Sequence, residues 1–296
     1  MGFDSLVLVK QVPDTAEITG QVMRADGTVN RAKLPAIFNP EDRVALELAL
    51  RVRDQHGGKV TALTMGPSKA SDLLRECLFM GADEVFLVTD RKFAGADTLA
   101  TSYVLSKAVE KLGAFDLIFA GRQAIDGDTA QVGPQTAEKL GLPQITCVEE
   151  LLALPPGEVI AKRRIDGGHE VLRARLPVLL TVIKEAAVPR PFKATRVMAY
   201  KNARSLSELE KLAEANPLLY VDALTQEYME RKLYIPTLSA DDLGVELDRC
   251  GLMGSPTKVK SVDSVVLTGG EHEHFPPTKD GLGRLIDRLM HDHLFG

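Results

Sequence analysis

Short runs of branched apolar residues alternate with longer helical patterns along the first two-thirds of the chain, and this alternation constrains the fold more than any other feature. A run too short for a helix and bounded by turn residues reads as a strand. Strands separated by helices pair in parallel through right-handed crossovers. Ser5 to Val12 (SLVLVKQV), Lys59 to Met65 (KVTALTM), Glu84 to Val88 and Asp116 to Ala120 (DLIFA) are such runs. Asn39-Pro40-Glu41 opens the first helix with a capping residue, proline at the first helical position and an acid in the first turn. Its apolar positions Val44, Leu46, Leu48, Leu50 and Val52 are close enough together to predict burial over much of its surface. A second helix spans Ser68 to Phe79 and stops at Gly81-Ala82-Asp83, and a third runs from the cap Asp97-Thr98 to Gly113. The expected fold class is α/β, a mostly parallel twisted sheet with helices on both faces. Its carboxyl edge gathers the loops Lys10 to Asp14, Met65 to Ser68 and Gly121 to Gln131, and open sheets of this kind bind ligands at that edge.

Three segments follow from the composition along the chain. Residues 1–185 form the α/β body, completed after Leu142-Pro143 by a strand at Gln144 to Val148, a hairpin through Val159 to Ile165 and Glu170 to Arg175, and an apolar strand at Pro177 to Ile183. The basic run Lys162-Arg163-Arg164 reads as the solvated face of an edge strand. Residues 186–237 start with Pro189-Arg190-Pro191, which predicts an extended projecting arm, and continue into two polar amphipathic helices at Ser205 to Ala215 and Ala223 to Lys232. Residues 238–296 form a tail with scattered Gly and Pro and a last helix at Lys279 to Phe295. With so little apolar periodicity the tail is expected to lie on the body or on a partner subunit.

Composition removes several functional classes. The net charge of −5 disfavours nucleic acid, and 5% aromatic content with no Trp leaves few stacking platforms. No run approaches the roughly 20 apolar residues of a membrane span, and the start MGFDSLVLVKQV carries an acid where a secretory signal would be basic, so a cytoplasmic protein is expected. Cys77, Cys147 and Cys250 form no CxxC pair and read as plain thiols. His272-Glu273-His274 and His291-Asp292-His293 lack the i, i+4 spacing of a helical metal pair and read as solvated tail residues; no metal site is expected. Gly269-Gly270 sits in the tail with Glu271-His272 after it, against a pyrophosphatase loop.

The stretch GRQAIDGDTAQVGPQTAEKLGLPQ, Gly121 to Gln144, carries the chemistry. A strand ends at Gly121, Gly127 permits a tight backbone path, and Asp128 or Thr129 is placed to cap a helix whose first turn is built from small residues. The free N–H groups of such a turn make a phosphate site, reinforced by the helix dipole. It is neither a GxGxxG fingerprint nor a P-loop, so the residues alone leave open an anion or nucleotide site and a merely structural turn. Asp126 and Asp128 suit backbone N–H or ribose hydroxyl partners better than a diphosphate, and Arg122 either faces the ligand or pairs with Asp126.

This stretch, with VKQVPD at Val9 to Asp14, NPEDRVALE at Asn39 to Glu47, TMGP at Thr64 to Pro67 and GSPTKV at Gly254 to Val259, resembles the beta subunit of electron transfer flavoproteins, closest to the electron-bifurcating or related subgroup. The resemblance implies a Rossmann-like, adenine nucleotide alpha hydrolase-like fold and a heterodimer with an alpha subunit that carries the redox-active FAD. It also implies a second adenine nucleotide in this chain: FAD, with AMP as the alternative, and NAD as a possible substrate. Residue by residue it places Val9, Asn39, Thr64, Met65, Gly66, Gln123, Ile125, Asp126, Gly127, Asp128, Thr129, Ala130, Gln131, Val132 and Thr136 around that nucleotide. Electrons would pass between NADH or a flavin dehydrogenase of the acyl-CoA dehydrogenase type and a ferredoxin-, iron-sulfur- or quinone-linked acceptor. The chain is then an electron carrier, and an NADH-oxidising subunit if FAD is bound. The segment Pro189 to Lys201 corresponds to the family's partner-docking loop but has Ala194 and Thr195 where a leucine anchor is usual. The rival class is a non-redox regulatory or scaffold module that binds an adenine nucleotide.

Overall fold

A computed structural model describes residues 2–14, 35–216, 218–257, 273–292 and 294. They fall into two compact units, one holding the described residues up to 257 and the other those from 273 onward. In the first unit the chain runs β1 (Ser5–Leu8), β2 (Gln11–Pro13), β3 (Ala36–Phe38), α1 (Pro40–His56), β4 (Val60–Met65), α2 (Ser71–Met80), β5 (Glu84–Val88), α3 (Thr98–Leu112), β6 (Leu117–Gly121), α4 (Val132–Lys139), β7 (Gln144–Ala153), β8 (Glu158–Ile165), β9 (Gly168–Arg175) and β10 (Val178–Val182). It then continues through α5 (Ala194–Tyr200), β11 (Arg204–Ser205), α6 (Leu206–Ala215), α7 (Val221–Glu230), β12 (Tyr234–Ile235), β13 (Thr237–Leu238) and α8 (Ala240–Leu243). The described part of the second unit contains α9 (Lys279–His291).

The central sheet has the order β13-β5-β4-β1-β6-β10-β7-β8-β9. Pairing is parallel from β13 to β7 and antiparallel only through β7, β8 and β9. Its middle strands carry apolar residues on both faces because helices cover both, as parallel sheets require. Val7, Ala62 and Phe119 pack with α1 and α2 in one buried cluster, whereas Leu6, Leu63 and Ile118 pack with α3 and α4 in another. β1 has β4 on one side and β6 on the other, so the strand order reverses there, and a crevice opens at the carboxyl ends of β1 and β6.

Several local expectations are revised. The first strand ends at Leu8; Gln11–Pro13 leaves the main sheet to pair antiparallel with Ala36–Phe38. Asn39 makes no side-chain cap for α1, because its amide is engaged across the sheet edge. Strand β7 runs on to Ala153 to form one arm of a longer meander, so Lys162-Arg163-Arg164 lies in β8 between two strands, and β9 is the edge. There Glu149 faces Lys162 Nζ at 3.6 Å and Arg164 at 3.3 Å, a cross-strand charge pairing rather than a bare solvated face. The segment after Pro189-Arg190-Pro191 is not extended throughout: Ala194–Tyr200 is helical, with Phe192 edge-on to Phe79 at 5.6 Å and Lys193 N donating to Phe79 O at 3.1 Å. Helix α6 has the expected start, a capping box between Ser205 and Glu208, and α7 begins at Val221. The last helix ends at His291.

Helix α4 lies close on β10 because Gly133 has no side chain: a Cβ there would sit 2.6 Å from Thr181 Cγ2. Thr181 in turn accepts from Cys147 N at 3.1 Å, so the same threonine fixes β7. Gly133→Ala is expected to destabilise the fold by about 1–3 kcal/mol through overpacking, measured by urea denaturation against the unmodified chain.

Candidate functional site

Helix α1 supplies the polar residues that hold the crevice. Asp42, in its first turn and 7% exposed, accepts from Lys10 N at 2.8 Å through one oxygen and from Gly121 N at 3.0 Å through the other. One carboxylate thus ties the chain just beyond β1 to the end of β6. Glu41 accepts from Gln123 N at 2.8 Å and pairs with Arg122 at 3.2 Å. Asn39, fully buried, donates to Gln123 O at 2.9 Å and accepts from Ile125 N at 3.2 Å. These three side chains satisfy backbone groups that the end of β6 would otherwise leave unpaired. Burial pushes the Asp42 carboxyl up to about 7 despite the opposing hydrogen bonds from Asn39, Lys10 and Gly121.

The crevice encloses about 240 Å³. Leu8, Val9, Leu63, Met65, Ala120 and Gly121 form its floor, Ala96, Asp97, Thr98 and Thr101 one wall, and the loop from Arg122 to Gly133 the other. Lys10 Nζ reaches both oxygens of Asp126, at 2.7 and 2.8 Å, and so links two loops that line the crevice. Thr98 Oγ1 lies 2.9 Å from Gln131 Oε1 and ties the start of α3 to the start of α4.

The loop has two non-glycine residues in the left-handed region, Asp128 at φ 49° and Ala130 at φ 52°. Such residues cost on the order of 1 kcal/mol or more each and persist where surrounding structure over-determines them, often at functional sites. Asp128 is held by Gln123 Nε2 at 2.8 Å. A Cβ built on Gly127 would have no atom within 4 Å, so the backbone there is open to an approaching group. Helix α4 begins at Val132, later than either Asp128 or Thr129; Gln131 occupies the cap position, and its side chain, engaged by Thr98, gives no cap bond. Among the described residues no side chain caps the start of α4, where Val132 and Gly133 line the crevice, an arrangement suited to an anion.

The structure brings Val9, Met65, Gln123, Asp126, Gly127, Thr129, Ala130, Gln131 and Val132 to the lining of the crevice. Asn39, Ile125 and Asp128 stand behind it and shape the loop. Thr64 lies between Leu63 and Met65, so its side chain points to the opposite face of β4, where its buried hydroxyl has no partner among the described residues. Gly66 N donates to Val88 O at 3.0 Å, and Thr136 Oγ1 donates back to Val132 O at 2.7 Å inside α4. Arg122 takes Glu41 as its partner, while Asp126 takes Lys10.

Asp42 was the main residue missed. Its signal was a second acid beside Glu41 in a first turn that buries both. Asp97 was read only as a cap, which it is, accepting from Leu99 N and Ala100 N at 3.0 Å. Its other oxygen also accepts from Thr257 N at 3.0 Å, and its own amide donates to Ser255 Oγ at 2.8 Å. The GSPT part of the tail motif therefore returns to the crevice rim; Lys258 and Val259 lie outside the described residues, as do Gly269, Gly270, His272 and His293. Among the described residues no helix is long and apolar enough to cross a membrane, and no group of three or more His, Cys, Asp and Glu is placed to hold a metal ion.

A largely parallel sheet with a crevice at its switch point and an uncapped helix start facing it is the arrangement at which open α/β proteins bind ligands. The electron transfer flavoprotein domain model matches residues 26–208. The chain is 42% identical to the electron transfer flavoprotein subunit beta of Thermoanaerobacterium thermosaccharolyticum, over 98% of each chain. It is 39% identical to the caffeyl-CoA reductase-Etf complex subunit CarD of Acetobacterium woodii, again over 98% of each. With the acryloyl-CoA reductase electron transfer subunit gamma of Anaerotignum propionicum it shares 41%, over 97% of this chain and 98% of the relative. The chain belongs to the electron transfer flavoprotein family and aligns with its beta subunits, which makes it a flavin-associated electron transfer protein.

Burial alone would raise the Asp97 carboxyl, but the amides of Ala100, Thr257 and Leu99 outweigh it and hold the group below its ordinary value. A depressed carboxyl stabilises the fold above its unfolded pKa and loses that contribution as pH falls through its folded one. Asp97→Ala is expected to cost about 1–2 kcal/mol near neutral pH, as loss of a helix cap does. In urea denaturation the difference from the unmodified chain should persist at mildly acidic pH and close only below about pH 4.

Proposed function

We propose that this chain is the nucleotide-holding beta subunit of a heterodimeric electron transfer flavoprotein, with an adenine nucleotide in the crevice between β1 and β6 and FAD in preference to AMP. The observation that carries the reading is the uncapped start of α4 beside the open backbone at Gly127 and the left-handed Asp128 and Ala130, at the switch point of a parallel sheet. A phosphate there would take the first-turn amides of α4, while Lys10 and Arg122, both lining the crevice, supply positive charge. The floor, from Leu8 to Met65 and Ala120, is apolar and offers a surface for a base. At about 240 Å³ the crevice is sized for the adenosine end that FAD and AMP share, smaller than the roughly 300–1,000 Å³ that encloses a whole drug-sized ligand.

The preference for FAD rests on the GDTAQVGP and GSPTKV motifs. FAD bound here would supply two-electron chemistry with a nicotinamide and one-electron chemistry with the partner; the chain's own residues place it and exclude water. Electrons would pass between NADH or an acyl-CoA dehydrogenase-type flavoprotein and a ferredoxin-, iron-sulfur- or quinone-linked acceptor, in the cytoplasm.

The chain purified with its alpha subunit and then denatured is expected to release two FAD per heterodimer and no AMP. One FAD with one AMP would overturn the FAD assignment and keep the site; release of neither nucleotide from this subunit would overturn the reading. Gly127→Val, placed where a Cβ meets no protein atom, is expected to retain the circular dichroism of the unmodified protein and to lose most of the nucleotide of this subunit. Full nucleotide content in that variant would place the site elsewhere.

A further inference from the structure

Asp42 does more than its place in a helix start requires. A carboxylate only accepts hydrogen bonds, and each of its oxygens here faces a backbone N–H from a different strand end: Lys10 N beyond β1 and Gly121 N at the end of β6. The two amides belong to the two segments that flank the crevice at its switch point, and Asp42 itself lines the crevice. A proton on either oxygen would set an O–H against an N–H and free one strand end. Little can move to compensate. A Cβ on Gly121 would fall within 3 Å of both Asp42 N and Glu41 C, so strand and helix are already in closest approach.

We propose that Asp42 is the positioning residue of this crevice and makes its hold on nucleotide proton-dependent: the ionised carboxylate sets the spacing of the ends of β1 and β6, and a proton on it releases one of them. The proposal deepens the nucleotide reading above and rests on it. Asn39 just before its helix and Glu41 within it flank the group, and the β1 side brings Lys10, itself paired with Asp126. The β6 side brings Arg122, held by Glu41, and α2 brings the buried Cys77 thiol, which senses the Asp42 charge. Lys10 is the cation that favours the ionised form, and desolvation opposes it more strongly, leaving the carboxyl at about 7.

The sign of the linkage separates this role from a merely structural one. A carboxyl whose folded pKa lies above its unfolded value favours the folded chain less as pH rises from about 4 to about 7. Conformational stability and nucleotide affinity should therefore respond in opposite directions to the same proton.

The test is calorimetric titration of the full chain with FAD, whose pyrophosphate keeps its charge across this range, and in parallel with AMP, whose phosphate takes a proton near pH 6. For a group titrating near 7, FAD affinity should be about tenfold weaker at about pH 6 than at about pH 8. The thermal midpoint of the nucleotide-free chain should be at least as high at the lower pH. Asp42→Asn, whose amide can accept only one of the two N–H groups, is expected to bind more weakly at the higher pH and to show no pH slope with FAD; with AMP it should show only the slope of the ligand's own phosphate. Equal slopes in variant and unmodified chain would overturn the proposal. So would a flat FAD affinity in the unmodified chain, a result that needs no variant to fold. Binding of neither FAD nor AMP at any pH would instead remove the nucleotide reading and this proposal with it.

Discussion

Two backbone amides that are neighbours only in the folded sheet converge on one buried carboxylate, and the geometry of the crevice depends on that convergence. Parallel strands end with unpaired backbone groups, and beyond the last ladder pair of β1 and β6, Leu8 with Ala120, the two departing segments are no longer held to each other by the sheet. Asp42 provides that fixed point from the first turn of α1, and Asn39 and Glu41 extend it to the loop beyond β6. The first turn of a helix is a favourable place for acids, since the macrodipole offsets part of the cost of burying charge. The same turn that starts α1 therefore shapes the site.

The same device recurs further along the chain. Glu47, buried on the next turns of α1, takes Arg51 at 2.7 Å and Arg190 at 2.7 Å; burial would raise its carboxyl, and the two arginines outweigh it and lower it. Arg190 thereby fixes the start of the segment that leads to α5. Arg75 on α2 takes Glu208 of α6 at 3.0 Å, donates to Ala203 O at 2.7 Å, and also pairs with Asp72. Arginine suits both places because its planar fork meets several acceptors at once. Polar residues on α1 and α2 thus anchor the segment that follows β10 without adding apolar surface.

Much of the fold was legible because its signals are local. The periodicity of α1, the Asp97 cap and the glycine stop of α2 act within a few residues and produce the elements where the pattern puts them. The meander differs at its edge because nothing local tells β8 that β7 will run on to Ala153 and cover its other side. Asn39 was read as a cap because Asn before Pro is a local cap signal, yet its amide serves the loop at Gln123 and Ile125, more than 80 residues away. Thr64 was carried over with its motif, but strand alternation turns its side chain from the crevice while Leu63 and Met65 face it.

The sequence by itself determined that strands and helices alternate, that the sheet is largely parallel, and that the loop GRQAIDGDTAQVGP stands at its carboxyl edge. Each of these follows from residue types at short spacing. Only the tertiary structure decided which acids are buried, that Lys10 takes Asp126 while Arg122 takes Glu41, that α4 starts uncapped at Val132, and that the tail returns through Ser255 and Thr257 to Asp97. Those outcomes depend on which segments meet in space, and a hydrogen bond or a buried charge is settled by the partner that arrives rather than by the residues beside it in the chain.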